Sequence, residues 1–210
     1  MNKTKKPVVI MYDSGIDEVE RFAIKRAIEE VIDYFPKRGF VFSGTKVWAD
    51  TNHHSSDWYL EKTKRICVGG KMLLSANHLM SLVANSEWQK ENRPIVIFLV
   101  SEEMVGLEAS SSLTCGLISI ESVAKFRLLP HEERILAIKG MFHHELGHIL
   151  GLAQDLERTN TEYSAGAHCT NLGCMMRYFE NVNELVEMAR ESEHTGVYCR
   201  QCAKDARKSE

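Results

Sequence analysis

The sequence has little of what marks several large protein classes. Only four prolines and 13 glycines occur in 210 residues, too few for a collagen-like or Pro/Gly-rich low-complexity chain. No clean apolar run exceeds Ile95 to Val100, far short of the roughly 20 residues a membrane helix needs. There is no surplus of basic residues: Lys and Arg total 26 against 29 Asp and Glu, a formal charge of −3. That balance disfavours a nucleic-acid partner, which selects a basic face. The N-terminus begins basic, but its apolar stretch is only about six residues and lacks the core and cleavage site of a signal peptide. The sequence-based expectation is therefore a cytoplasmic protein without a membrane partner. The six cysteines fall well below the roughly 8–10% of a disulfide scaffold. What is present, 44% hydrophobic and 26% charged residues, is ordinary globular composition, and the length suits one domain.

Pattern along the chain predicts alternating strands and helices. Pro7 to Tyr12 reads as a strand. Asp13 and Ser14 are capping residues for a helix with Ile16, Val19, Phe22, Ala27, Val31 and Phe35 facing inward, stopped by Pro36 and Gly39. Phe40 to Trp48 alternates as a strand, and Ala49 to Asp57 is a polar loop that carries His53 and His54. Lys71 to Gln89 is predicted helical, with Met72, Leu73, Leu79, Met80 and Val83 inward. Ile95 to Val100 reads as a buried strand, and Leu117 to Val123 as an edge strand able to align an extended peptide. Pro130 starts a helix with Glu132 and Glu133 in its first turn, and Gly151 ends it as a C′ residue. Residues 152–170 are polar and turn-rich, and Asn183 to Arg190 suits a helix. The predicted fold class is mixed α/β with an active-site helix. The expected layout is one domain, 1–210, divided into an α/β part, 1–151, and an irregular part, 152–210, that bears the cysteines.

The chemistry concentrates in His143-His144-Glu145-Leu146-Gly147-His148. His144 and His148 stand four apart on the predicted helix, so both imidazoles leave one face, as two ligands of a tetrahedral zinc require. Glu145 lies beside that face, placed to take a proton from a zinc-activated water and pass it to a leaving amine. Downstream, Cys169 and Cys174, then Cys199 and Cys202, form C-x4-C and C-x2-C pairs. Four thiolates close the coordination sphere of a second, structural zinc; free thiols or a redox pair at Cys199 and Cys202 are the alternatives. Cys67 and Cys115 stand alone and read as small buried hydrophobes.

These residues resemble one family. The string HELGHILG is similar to the first part of the metzincin signature H-E-x-x-H-x-x-G-x-x-H. His168-Cys169, Cys174-Met175-Met176 and Cys199-x2-Cys202 resemble the pattern of the archaemetzincins. The resemblance implies a metzincin-like fold, one catalytic and one structural zinc, a peptide or protein substrate, and His168 as the third histidine. It further implies Met176 in a turn beneath the catalytic metal; Tyr178, two residues on, has the spacing at which astacin-like relatives place a tyrosine near the zinc, as an oxyanion stabiliser or else a packed aromatic.

Two features depart from the family. Three residues after the glycine, where the family has its third histidine, this chain has Gln154; His168 lies 17 residues beyond Gly151. The gap from Met176 to Cys199 is also longer than the family's. Loop growth is cheap, since doubling a loop costs only about 0.6 kcal/mol of closure entropy. The expectation is an insertion, Leu152 to Ala165, that bulges outward and returns His168 to the metal, with Asp155 as a substitute oxygen ligand left open. The leading functional reading is a zinc metallopeptidase. The alternative is a catalytically weak or inactive, zinc-stabilised peptide-binding protein on the same fold.

Overall fold

The structure, a computed structural model, describes residues 8–34, 45–47, 55–92, 95–106, 118–154, 158–163 and 167–205. These fall into two units: one drawn from Met1–Glu18 and Phe42–Arg127, the other from Val19–Val41 and Leu128–Glu210.

In the first unit, a β-branched run forms β1 (Val8–Tyr12) at the middle of a parallel sheet. Its neighbours are β2 (Thr45–Val47) and β5 (Ile95–Val100), and β7 (Ile118–Ser122) lies beyond β5. Among the described residues β7 is an edge strand, as its sequence predicts. Val9 and Met11 of β1 and Val96, Phe98 and Val100 of β5 share one face by the two-residue period of a strand. They pack with Tyr59 and Leu60 of α2 (Ser56–Lys62) and with Leu79, Met80 and Val83 of α3 (Ala76–Ala84).

Two sequence readings change here. Lys71 to Gln89 is not one helix. Residues 71–75 form β4 (Lys71–Ser75), antiparallel to β3 (Arg65–Val68) across a Gly69-Gly70 turn, and β4 also pairs with β6 (Met104–Val105). Met72 consequently faces out, at 55% exposed. The helical reading holds for α3 and for residues 87–89, which open a separate helix, α4 (Glu87–Asn92). Nor is Cys67 a buried hydrophobe: on β3 it is exposed. His53, His54 and Cys115 lie outside the described residues.

The second unit begins with α1 (Glu18–Tyr34). It starts later than Asp13 and Ser14 suggest, and the Asp13 side chain is engaged elsewhere. The Asp13 carboxylate accepts the Gly15 and Ser101 amides at 2.7 and 2.6 Å, and the Ser14 amide donates to Asp57. Ala23, Ile24, Ala27, Ile28 and Val31 give α1 its buried stripe, while Phe22 is off it and exposed.

The long helix α5 (His131–Ile149) carries Glu132 and Glu133 in its first turn, with Pro130 at the N-cap. It ends as Gly151 predicts. That residue takes φ +71, its amide bonds the His148 carbonyl at 3.0 Å, and the Leu152 amide bonds the Gly147 carbonyl at 2.9 Å. This is a Schellman motif, which a glycine at C′ makes possible without Cβ strain. Helix α6 (Val182–Thr195) packs along α5, and α7 (Arg200–Asp205) closes the described chain. Between α5 and α6, β8 (Thr161–Glu162) pairs antiparallel with β9 (His168–Cys169). Among the described residues no helix is long and apolar enough to cross a membrane.

Helix α5 is tied to α1 by charge. Glu30 lies 2.9 Å from Lys139 Nζ and 3.2 Å from His143 Nε2. Burial pushes the Glu30 carboxyl up, but bonds and charge from His143 and Lys139 outweigh it and hold the pKa at about 2. A carboxylate with a lowered folded-state pKa stabilises above its ordinary 4.5, and that contribution fades as pH falls toward about 2. Glu30→Gln should therefore lower the urea midpoint at pH 7, with the gap to the parent closing between pH 4.5 and pH 2. An equal gap at both ends of that range would show that the charge is not what matters.

Candidate functional site

The last two turns of α5 place His144 and His148 on one face, and β9 brings His168 to them. One nitrogen from each of the three rings lies within 4.8 Å of the others. The Nε2 atoms of His144 and His148 are 3.1 Å apart, and the ring of His168 stacks on that of His144 at 5.1 Å and 21°. His144 Nδ1 sits 2.7 Å from the Met175 carbonyl, to which it donates, so its Nε2 keeps a lone pair for the cluster. Burial, reinforced by the neighbouring His148, drives the His144 pKa well down. Burial and His168 bring His148 to about 4. At neutral pH both rings are uncharged, the state in which imidazole binds metal.

The group fits a zinc ion. Arms of 2.0–2.1 Å set tetrahedral nitrogens about 3.3 Å apart, close to the observed pair. Glu145 is buried on α5 beside His144. Tyr178 is 42% exposed and sets its ring 5.4 Å from that of His168. A cleft of about 440 Å³ lies beside Tyr178, lined also by Glu162, Cys169, Thr170, Arg177, Glu180 and Glu184; neither the three histidines nor Glu145 line it. Gln154 is not in the group: it is exposed, and its amide donates to the His148 carbonyl at 3.4 Å. Asp155 lies outside the described residues.

Met176 is fully buried and packs on the same helix. A Cβ on Gly147 would collide with Met176 Sδ and stand 3.3 Å from Tyr198 Cε1, so any side chain there must displace the methionine. The turn is fastened on both sides. The Met175 amide bonds the Val197 carbonyl at 3.1 Å, and the Met176 carbonyl accepts the Cys169 amide at 2.8 Å. The buried Tyr198 hydroxyl donates to the His143 carbonyl at 2.6 Å.

A second group adjoins the first. The sulfurs of Cys169, Cys174, Cys199 and Cys202 lie within 4.8 Å of one another. Cys169 and Cys199 are 3.8 Å apart and Cys174 and Cys202 3.6 Å. Those separations are far too long for a disulfide, at about 2.05 Å. They match the edge of a tetrahedron with 2.3 Å arms, about 3.8 Å. Amides of Asn171 and Cys199 donate to Cys169 and Cys174 sulfurs at 3.4 and 3.3 Å, contacts that favour thiolate. Crowding splits the thiols: the bond with Cys174 lowers Cys169 to about 7 and the bond with Cys169 lowers Cys199, while bonds with Cys169 raise Cys174 and Cys202. A cation at the centre removes that conflict.

Sequence reading missed three contributors. The Met175 carbonyl and the Tyr198 hydroxyl act through backbone atoms that no side-chain motif announces. Arg158, in the inserted segment, is buried against Cys169 and Cys202. The insertion is accordingly not a plain outward bulge. Leu152 and Ala153 are fully buried, and β8 pairs with the strand that carries His168.

A histidine pair on a glycine-ended helix, with a methionine turn packed against it, defines a metzincin-like fold. Solved structures narrow it further. The archaemetzincin of Methanopyrus kandleri matches with a TM-score of 0.62 at 17% identity, over 99% of this chain and 97% of that one. The archaemetzincin of Archaeoglobus fulgidus, in complex with malonate, matches with a TM-score of 0.55 at 15% identity, over 95% and 99%. The fold is thus archaemetzincin-like, with the third histidine separated from the helix by a longer segment. No family model and no curated protein matches the sequence.

Gly147→Ala should displace Met176 or the helix, an overpacking change of about 1–3 kcal/mol. Urea unfolding of the variant should register that loss. Parent-like stability would mean that Met176 moves aside freely.

Proposed function

We propose that the chain is a zinc-dependent peptidase acting on peptide or protein substrates. The observation that carries this reading is the convergence of His144, His148 and His168 beside Glu145. In it the three histidines hold the catalytic metal, and Cys169, Cys174, Cys199 and Cys202 hold a structural one. Zinc with three imidazole ligands and an open position acidifies a water and polarises a carbonyl.

The protein's own groups do the rest. Glu145 takes a proton from the attacking water and returns it to the leaving amine. Met175 fixes the tautomer of His144 through its carbonyl, and Met176 is the apolar floor of the site. Tyr178, exposed with its ring beside that of His168, donates its hydroxyl to the developing oxyanion. His168 as third ligand is supported by its place in the cluster and by the engagement of the Gln154 amide elsewhere.

Glu145→Gln tests the reading on a quenched peptide library. The amide keeps the shape but accepts no proton, so turnover should fall by about 10²–10⁴ with zinc content unchanged. In the same assay His168→Ala should lose zinc together with turnover, and Gln154→Ala should keep both. Equal turnover by Glu145→Gln and the parent would refute the peptidase and favour a peptide-binding protein.

A further inference from the structure

We propose that Arg158 is a positioning residue of the cysteine site: its guanidinium is the fixed counter-charge that lets four thiolates share one metal ion, and Asp205 holds it in place. This rests on the reading of the cysteines as zinc ligands. Nη1 of Arg158 lies 3.3 Å from Cys202 Sγ and Nη2 3.3 Å from Cys169 Sγ. One planar fork therefore spans a sulfur from the C-x4-C pair and a sulfur from the C-x2-C pair. Nε completes the orientation by donating to Asn160 Oδ1 at 3.1 Å, and Asn160 Nδ2 reaches Cys169 Sγ at 3.7 Å. The Arg158 side chain is 1% exposed and that of Asp205 2%. Asp205, three residues beyond Cys202 on α7, bonds Nη1 and also accepts the Ala153 amide at 3.1 Å.

The charge argument sets the sign of the effect. Four thiolates around a divalent cation leave a net charge of −2, and a buried net charge is costly unless it is compensated. Arginine is always charged and presents its donors in a rigid plane, which suits it to this task better than lysine. Asp205 without Arg158 would add a further negative charge close to the sulfurs. An ion pair that served only to staple the segment would have no reason to aim both terminal nitrogens at sulfur. Arg158 also belongs to the stretch by which this chain exceeds the archaemetzincin spacing. The longer segment is thus fastened at the cysteines just before it forms β8 and leads on to His168.

The test uses the full chain after mild chelation has emptied the histidine site. It measures release of the remaining zinc to a chromogenic chelator, and the thiolate-to-metal charge-transfer band after cobalt replacement. Arg158→Gln should release zinc about 10–100-fold faster, the usual cost of losing an outer-shell partner, and should shift the band. Arg158→Lys should fall between Arg158→Gln and the parent. Asp205→Asn, which removes the negative charge and keeps an acceptor for the guanidinium, should release zinc no faster than the parent. Parent-like release by Arg158→Gln overturns the proposal, as does equal acceleration by Asp205→Asn, which would make the two residues a structural pair. Should Arg158→Gln fail to fold, Arg158→Lys decides alone, and a parent-like rate overturns the proposal. A parent chain that keeps no zinc at the cysteines overturns the underlying metal reading, and the counter-charge with it.

Discussion

Two adjacent residues, His168 and Cys169, tie the two clusters together. Successive side chains of an extended strand leave opposite faces, so β9 delivers an imidazole to one group and a sulfur to the other within a single dipeptide. The strand has little freedom to shift. Its Cys169 amide bonds the Met176 carbonyl, β8 pairs with it, and the Thr170 amide bonds the Asn160 carbonyl at 3.0 Å. In the proposed reading, metal at the cysteines fixes the position of His168, and a long segment between the helix and β9 does not loosen the histidine site. Loop length is then a small cost, because both ends are anchored.

Helix α5 is the other fixed element. From Ala137 to Gly147 every residue is buried, which leaves no slack for rotation about its axis. Glu30 holds Lys139 and His143, and Tyr198 holds the His143 carbonyl, so the residue just before His144 is secured through both side chain and backbone. The Met175 carbonyl then orients the His144 ring itself. Ligand geometry in such a site is set largely by these outer contacts.

The sequence revealed the α5 helix, its glycine end, the histidine pair on that helix and the four cysteines because each rests on local spacing: a helical period, a C′ glycine, paired ligands. The fold class was legible from the alternation of strand and helix patterns. The β3–β4 hairpin was not, since Met72 and Leu73 satisfy a helical pattern when read together with Leu79 and Met80, and only strand pairing turns Met72 outward. The late start of α1 was hidden because the Asp13 carboxylate finds a long-range partner at Ser101. Arg158 was invisible for the same reason: its partners lie at positions 169, 202 and 205, and an arginine in a polar segment has no periodic signature. The third histidine was named from a resemblance, and its approach to His144 and His148 comes from strand pairing that no short motif encodes.

In the proposed reading one chain carries two zinc sites of different chemistry, joined at His168-Cys169. Zinc-edge X-ray absorption on the fully loaded protein tests it most directly. A four-sulfur site and a three-imidazole site with one oxygen should average to about two sulfurs at 2.3 Å and about two nitrogen or oxygen neighbours at 2.0–2.1 Å per zinc. A shell of sulfur alone, at one zinc per chain, would contradict the account by leaving the histidines without a metal.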